Sequence, residues 1–296
     1  MSITEQLAAT HLGKKSLGSE LYDKSLLVAV PRFENRQQYN IEENNLPFVG
    51  YDIWDAYEVS FMTQSNIPCT YVLKIKYPAN SPFIVESKSL KLYLNSFNMT
   101  PLKATINESK DFFIETVKRD LSDLLKTDVS LKLHDTFSST DCMMFTGYES
   151  IRDIIDLDNI MCTRFNEAPD ELKFSSDNDG KDLKIAFDAV RSNCKITHQP
   201  DFADIFIHIK SDKGIDISSL VKYIVSFRKE NHFHEECVEM IYKRLLDKYT
   251  PDILMVAALY TRRGGIDICP IRANDAKYLD TELLDITKYT KRTIKQ

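Results

Sequence analysis

Alternation of apolar and polar side chains sets the first landmark. Tyr71, Leu73, Ile75 and Tyr77 alternate with Val72, Lys74 and Lys76, which predicts a β-strand with one wetted face. Across residues 85–98, VESKSLKLYLNSFN, the period changes. Leu90, Tyr93, Leu94 and Phe97 fall at i, i+3, i+4 and i+7, one face of a helix. A second helix is expected from about Asp111 to Lys126, and Val129, Leu131 and Leu133 mark another strand. The second half keeps this order. Leu183, Ile185 and Phe187 alternate as a strand that runs into a polar loop, and Ile205, Ile207 and Ile209 form the next. Residues 218–228, SSLVKYIVSFR, are helical in pattern. Val238, Ile241, Tyr242, Leu245, Leu246 and Tyr249 stripe a further helix, and 253–260 reads as a closing strand.

The halves also agree letter by letter. Ser89, Leu90, Tyr93, Ser96 and Phe97 recur as Ser219, Leu220, Tyr223, Ser226 and Phe227 at a constant offset of 130 residues. An internal repeat of this kind means that one supersecondary unit has been used twice. Strand, strand, helix, helix, strand in each half predicts an α+β protein of two tandem modules, each an antiparallel sheet with a pair of helices on one face. The expected division is an N-terminal arm over 1–45, extended around VAVPRFENR, a first module over 46–137, a linker rich in Asp, Ser and Asn over 138–181, and a second module over 182–296. The copies differ in their polar residues. The first helix opens with Glu86-Ser87-Lys88-Ser89, the second with Asp216-Ile217-Ser218-Ser219, and only the second module carries a loop like SNCKITHQPD. Such division of labour suggests one composite site built from both.

Composition narrows the class. The 296 residues are 43% hydrophobic and 28% charged, with a net charge of −6, which describes a soluble globular protein and argues against a nucleic-acid partner. Neither a signal peptide nor an apolar run of membrane-spanning length is present, so a cytoplasmic protein with no membrane partner is expected. The six cysteines form no CxxC pair and no zinc-site spacing, so no metal is expected and the thiols should be reduced. With eight glycines and no GxGxxG, a Rossmann dinucleotide site is not signalled.

The candidate chemistry centres on residues 192–202, SNCKITHQPDF. A thiol is the best neutral-pH nucleophile among side chains, and a carboxyl nearby could move the proton that its attack requires. Cys194 and Asp201 meet only if the loop folds back, which Pro200 favours by fixing its own φ and biasing Gln199 toward an extended conformation. Cysteines are more often buried packing residues, but the neighbours of Cys194 are polar apart from Ile196. Taken alone, Glu86, Glu235 and Glu236 read as acids at helix starts, favoured by the dipole, and Arg262-Arg263-Gly264-Gly265 reads as a solvated turn.

SNCKITHQPDF, ESKSLKLYLNSFN, NHFHEECVEMI and YTRRGGIDICPIR, in this order, together resemble the long, two-module form of the NADPH-dependent 7-cyano-7-deazaguanine reductases, the nitrile reductases of queuosine biosynthesis. The likeness covers nearly the whole chain, including VAVPR and YDIWDAYEVS. It implies two tunnelling-fold modules and reduction of a nitrile to a primary amine with two NADPH. Cys194 then matches the nucleophile that forms a covalent thioimide, and Asp201 the residue that handles its proton. By the same resemblance Val85, Glu86, Ser87, His234 and Glu235 bind the deazapurine, with His234 assisting proton transfer, and Ser87, Lys88, Arg263 and Gly264 line the NADPH cleft. A homodimer is implied too. Phe202 stands where a tryptophan is expected and Cys269 where a polar residue is common. The alternatives are a tunnelling-fold purine or pterin cyclohydrolase, which would need zinc, and a non-catalytic purine-binding module.

Overall fold

The apolar alternation resolves into one long sheet. The computed structural model describes residues 21–135, 143–176, 180–293 and 296. In chain order its elements are β1 (Ala29–Pro31), α1 (Phe33–Gln38), β2 (Val49–Met62), β3 (Pro68–Pro78), β4 (Phe83–Val85), α2 (Ser87–Asn95), α3 (Ile106–Leu125), β5 (Ser130–His134), β6 (Glu149–Ser150), α4 (Ile151–Ile154), β7 (Asp182–Asn193), β8 (Pro200–Lys210), α5 (Ile217–Val225), α6 (His234–Tyr249), β9 (Ile253–Tyr260), β10 (Ile266–Ala273) and α7 (Thr281–Leu284). Eight strands form a sheet in the order β5-β3-β2-β10-β9-β8-β7-β6, antiparallel except where β6 joins β7, while β1 and β4 pair separately.

Each half is strand, strand, helix, helix, strand: β2, β3, α2, α3, β5 and then β7, β8, α5, α6, β9. β10 follows the second unit and lies between them. It pairs with β2 from Ile266 opposite Ala56 to Ala273 opposite Val49, and with β9 through Ile271, Arg272 and Ala273 only. The two antiparallel sheets are thereby one. Pro270, which has no N–H to donate, stands where the β9 ladder stops.

Two hydrophobic cores lie under the helices. One joins Trp54, Leu73, Ile75, Leu90, Phe97, Phe113 and Val117, the other Ile205, Ile207, Tyr223, Val238, Ile241 and Val256. A third, on the opposite face, packs Ile53, Met255, Leu259 and Ile271 against Phe145, Leu279 and Leu283.

The 130-residue repeat holds at the level of atoms. Glu86 caps α2 through the Ser89 N–H at 2.7 Å, and Asp216 caps α5 through the Ser219 N–H at 3.1 Å. Ser89 and Ser219 each donate back to the carbonyl of the cap residue at 2.7 Å. Tyr93 and Phe97 meet edge to face at 5.5 Å, as do Tyr223 and Phe227. Chain segments then cross both helices alike. The N–H groups of Asp23 and Val28 donate to Ser96 and Ser89, and those of Ala168 and Lys173 to Ser226 and Ser219.

These straps amend the sequence reading. Part of the stretch expected as a linker, at 138–142 and 177–179, lies outside the described residues, but Leu172 and Ile151 are buried in the second core. The segment expected as an extended arm is extended at β1 and helical in α1, because Arg32 and Arg36, four residues apart, both turn inward. There, at the seam between the halves, Arg36 and Arg272 pair with Glu239 at 2.9 and 3.0 Å, and Arg272 and Arg32 with Asp52. α3 begins at Ile106, earlier than periodicity suggested, because Thr105 and Glu108 form a capping box.

Candidate active site

Two helix N-termini, one hairpin tip and one turn converge on the seam. They enclose a cavity of about 300 Å³ lined from the first half by Val85, Glu86, Ser87, Lys88 and Lys91, and from the second by Cys194, Asp201, His234, Glu235, Arg263 and Gly264. Trp54 of β2 and Ile266 and Ile268 of β10 also line it. A volume of this size is at the lower end of small-molecule sites and suits a bicyclic base. Every residue singled out from the sequence for a site role faces this one space.

Cys194 is presented by a hairpin. β7 and β8 run in register with Ser192 opposite Asp201, and the tip is closed by the Cys194 N–H donating to the Gln199 carbonyl at 2.8 Å. His198 makes the turn with φ +56°, and its N–H returns to the Cys194 carbonyl at 3.0 Å. The chain therefore folds back before Pro200, which opens β8. Cys194 is half-buried and open to the cavity, whereas Cys237 is sealed and burial pushes its thiol up to about 12. Cys269 is also buried, its thiol pushed up by the same desolvation.

Asp201 is buried between an imidazole and a guanidinium. His234 Nε2 lies 3.3 Å from Oδ2, and the Arg263 guanidinium pairs with Oδ1 while also reaching Gln199. Burial alone would raise the Asp201 carboxyl, but hydrogen bonds and charge from His234 and Arg263 outweigh it and hold it below the usual carboxylate range. The His234 ring is stacked on Tyr260 at 3.8 Å between centroids and 4° between planes, which fixes its orientation at the start of α6.

Glu235 has the opposite environment. It is fully buried, and desolvation first, then the charge of Asp52, raise its carboxyl to about 8. Its Oε1, like His234 Nδ1, has no hydrogen-bond partner among the described residues. Such an atom at a cavity wall is suited to a ligand's donors and acceptors. From across the seam Glu86 contributes a second buried carboxylate. Its oxygens accept the Lys88 N–H at 3.0 Å, the Ser87 hydroxyl at 3.5 Å and the Ser89 N–H at 2.7 Å.

At the rim, Lys88, Lys91 and Arg263 gather cationic side chains beside Ser87. Gly264 turns with φ +59°, and a Cβ there would come within 3.2 Å of Lys91 Cδ, so glycine both allows the turn and leaves the rim open. These residues fit an anionic dinucleotide. Trp54, Lys91, Gln199, His232 and Phe233 also line the cavity and were not singled out from the sequence. Lys91 had a signal, since it lies one helical turn beyond Lys88.

Comparisons with known proteins point to one family. A family model described as nitrile reductase, 7-cyano-7-deazaguanine-reductase N-term, matches residues 19–133, and one described as QueF-like protein matches 200–278. The chain is 38% identical over 276 residues, 92% of its own length and 95% of the relative's, to an NADPH-dependent 7-cyano-7-deazaguanine reductase of Rickettsia massiliae (strain Mtu5). Glu86 and Lys88 fall within the first match, and Asp201, His234, Glu235 and Arg263 within the second.

Proposed function

The chain belongs to the family of NADPH-dependent 7-cyano-7-deazaguanine reductases, and we propose that it reduces its nitrile through a covalent adduct on Cys194. It is an oxidoreductase of queuosine biosynthesis that converts 7-cyano-7-deazaguanine to the primary amine. The observation that carries the adduct reading is the cavity itself. A half-buried thiol shares it with Asp201, His234 and buried carboxylates from both halves.

A nitrile carbon is electrophilic but has no leaving group, so it has to be activated before reduction. The Cys194 thiolate forms a C–S bond as one π bond of C≡N opens, and the nitrogen takes up a proton to give a neutral thioimide. Asp201, ionised and held by His234 and Arg263, accepts the thiol proton, and His234 relays protons to the nitrogen. NADPH, when bound, would supply the two hydrides that the change from nitrile to amine requires, while His234 and Asp201 manage the two matching protons and the Cys194 sulfur is released as thiolate. Ser87, Lys88, Arg263 and Gly264 are the residues that would hold it. Glu235 and Glu86 grip the guanine-like edge from opposite sides, aided by Val85, Ser87 and His234. A nearly neutral Glu235 both donates to and accepts from that edge.

We further read the molecule as a cytoplasmic homodimer of modules over 46–137 and 182–296. Among the described residues β5 is the last strand of the sheet, an edge that a second copy could cover, and light scattering that returned a monomer would overturn the dimer. The test of the main reading is mass spectrometry of the protein mixed with 7-cyano-7-deazaguanine and no NADPH. The adduct is expected on the peptide holding Cys194 and absent in Cys194→Ala. Normal turnover by Cys194→Ala would refute it.

A further inference from the structure

The hairpin tip that carries Cys194 is a short turn, and its position relative to α6 rests on a small set of bonds. Two are backbone bonds: the Asn193 N–H donates to the Glu230 carbonyl at 2.8 Å, and the His232 N–H to the Asn193 carbonyl at 3.0 Å. The third is ionic. Lys195, the residue after the cysteine, reaches Glu236 Oε1 at 2.8 Å, with the ion pair nearly buried at 15% and 7% side-chain exposure. The Lys195 ammonium also lies 5.5 Å from the centre of the Phe233 ring, and Phe233 lines the cavity.

Glu236 is itself fixed. Its other oxygen accepts the Phe233 N–H at 3.0 Å, which caps α6, and lies 3.4 Å from His232 Nδ1. His232 Nε2 meets Glu230 at 3.3 Å, and Glu230 accepts the Glu167 N–H of the second strap at 2.9 Å. Lysine 195, Glu236, His232 and Glu230 thus form a charge-alternating chain from the cysteine loop, across the start of α6, to the strap. His234 and Glu235 lie inside the helical turn that this chain clamps. No step of the reaction uses these four side chains, yet they join the nucleophile's loop to the helix that carries the substrate-facing pair.

We propose that Lys195 is a positioning residue, whose ion pair with Glu236 locks the Cys194 loop to the first turn of α6 so that the sulfur is aimed at a base held by His234 and Glu235. The proposal rests on Cys194 being the nucleophile. A sulfur free to drift by an ångström relative to its electrophile loses on the order of 10- to 100-fold in rate, while binding of the base, gripped elsewhere, is preserved.

The experiment measures, by stopped-flow absorbance without NADPH, the rate of adduct formation with 7-cyano-7-deazaguanine in wild type, Lys195→Met and Lys195→Arg, together with the affinity of each for the amine product, which has no nitrile. Methionine keeps the stem over Phe233 and removes the charge. Adduct formation is expected to slow about 10-fold or more in Lys195→Met, with product affinity within about 2-fold of wild type, and arginine is expected to restore most of the rate. An unchanged rate in Lys195→Met overturns the proposal, as does a parallel loss of rate and product affinity, which would mark a merely structural role. If Lys195→Met does not fold, Glu236→Gln, which keeps the cap, decides by the same two readouts. Failure of the wild type to form an adduct refutes the Cys194 reading instead, so the two failures are distinguishable.

Discussion

Asp201 and Glu235 are two carboxylates in one cavity whose environments drive them apart. Asp201 faces His234 and Arg263 and stays ionised, while Glu235 faces Asp52 in a dry wall and is raised to about 8. The second shift has a measurable consequence. Between the ordinary carboxylate pKa and about 8 the folded state binds a proton that the unfolded state has released, so this group makes stability fall as pH rises across that window, by at most about 1.4 kcal/mol per pH unit. Glu235→Gln is expected to flatten the decline, seen as urea midpoints at pH 5.5 and pH 8 that draw closer than in wild type. An equally steep decline in the variant would mean that the carboxyl ionises freely. At this scale Cys194 and Asp201 announce themselves by chemical type, whereas His234 and Glu235, which alone read as the start of a helix, are singled out only by resemblance. Trp54, Gln199 and His232 are signalled by neither, because a lone indole, amide or imidazole becomes a wall only when distant strands bring it there.

Periodicity found the elements with one wet face, β3, β7 and β8, and the amphipathic helices. It passed over β2, β10 and α1, and the reason is the seam. β10 is buried along its whole length and carries Asp267, Pro270 and Arg272 inside, so its pattern is neither alternating nor apolar. α1 and the residue before it turn Arg36 and Arg32 inward, which reads in sequence as a solvated stretch. What makes those charges tolerable is mutual pairing, and pairing across four elements is invisible to a window on one. Removing one member should therefore be severe. Arg272→Met leaves Asp52 and Glu239 short of a buried cation and is expected to cost about 3–5 kcal/mol in denaturant unfolding. Arg152→Met, which breaks the exposed pair with Asp188, should change stability by less than about 1 kcal/mol. Comparable losses from the two variants would contradict the account of the seam.

At the scale of the molecule, the repeat predicts two modules and the sheet makes them one. β10 belongs in sequence to the second module, yet it forms its longer ladder with β2 of the first, and its Ile266 and Ile268 are buried in the first module's core. Unfolding the second module would strip β2 of its partner and open that core, so neither half has an independent stability to fall back on. The intact chain should then unfold in a single step. Trp54, the only tryptophan, is a fortunate reporter. It is buried on β2 opposite Ile268 and lines the cavity, so its fluorescence follows the seam, while far-UV circular dichroism follows every helix and strand. The two signals are expected to give coincident urea transitions. A circular dichroism transition that persists after Trp54 has become exposed would show the second module standing alone, and the strand that joins the halves would then be a contact without a cooperative role. Because the cavity takes its floor from this same strand, coincident transitions also mean that the site cannot open from one side while the other half stays folded.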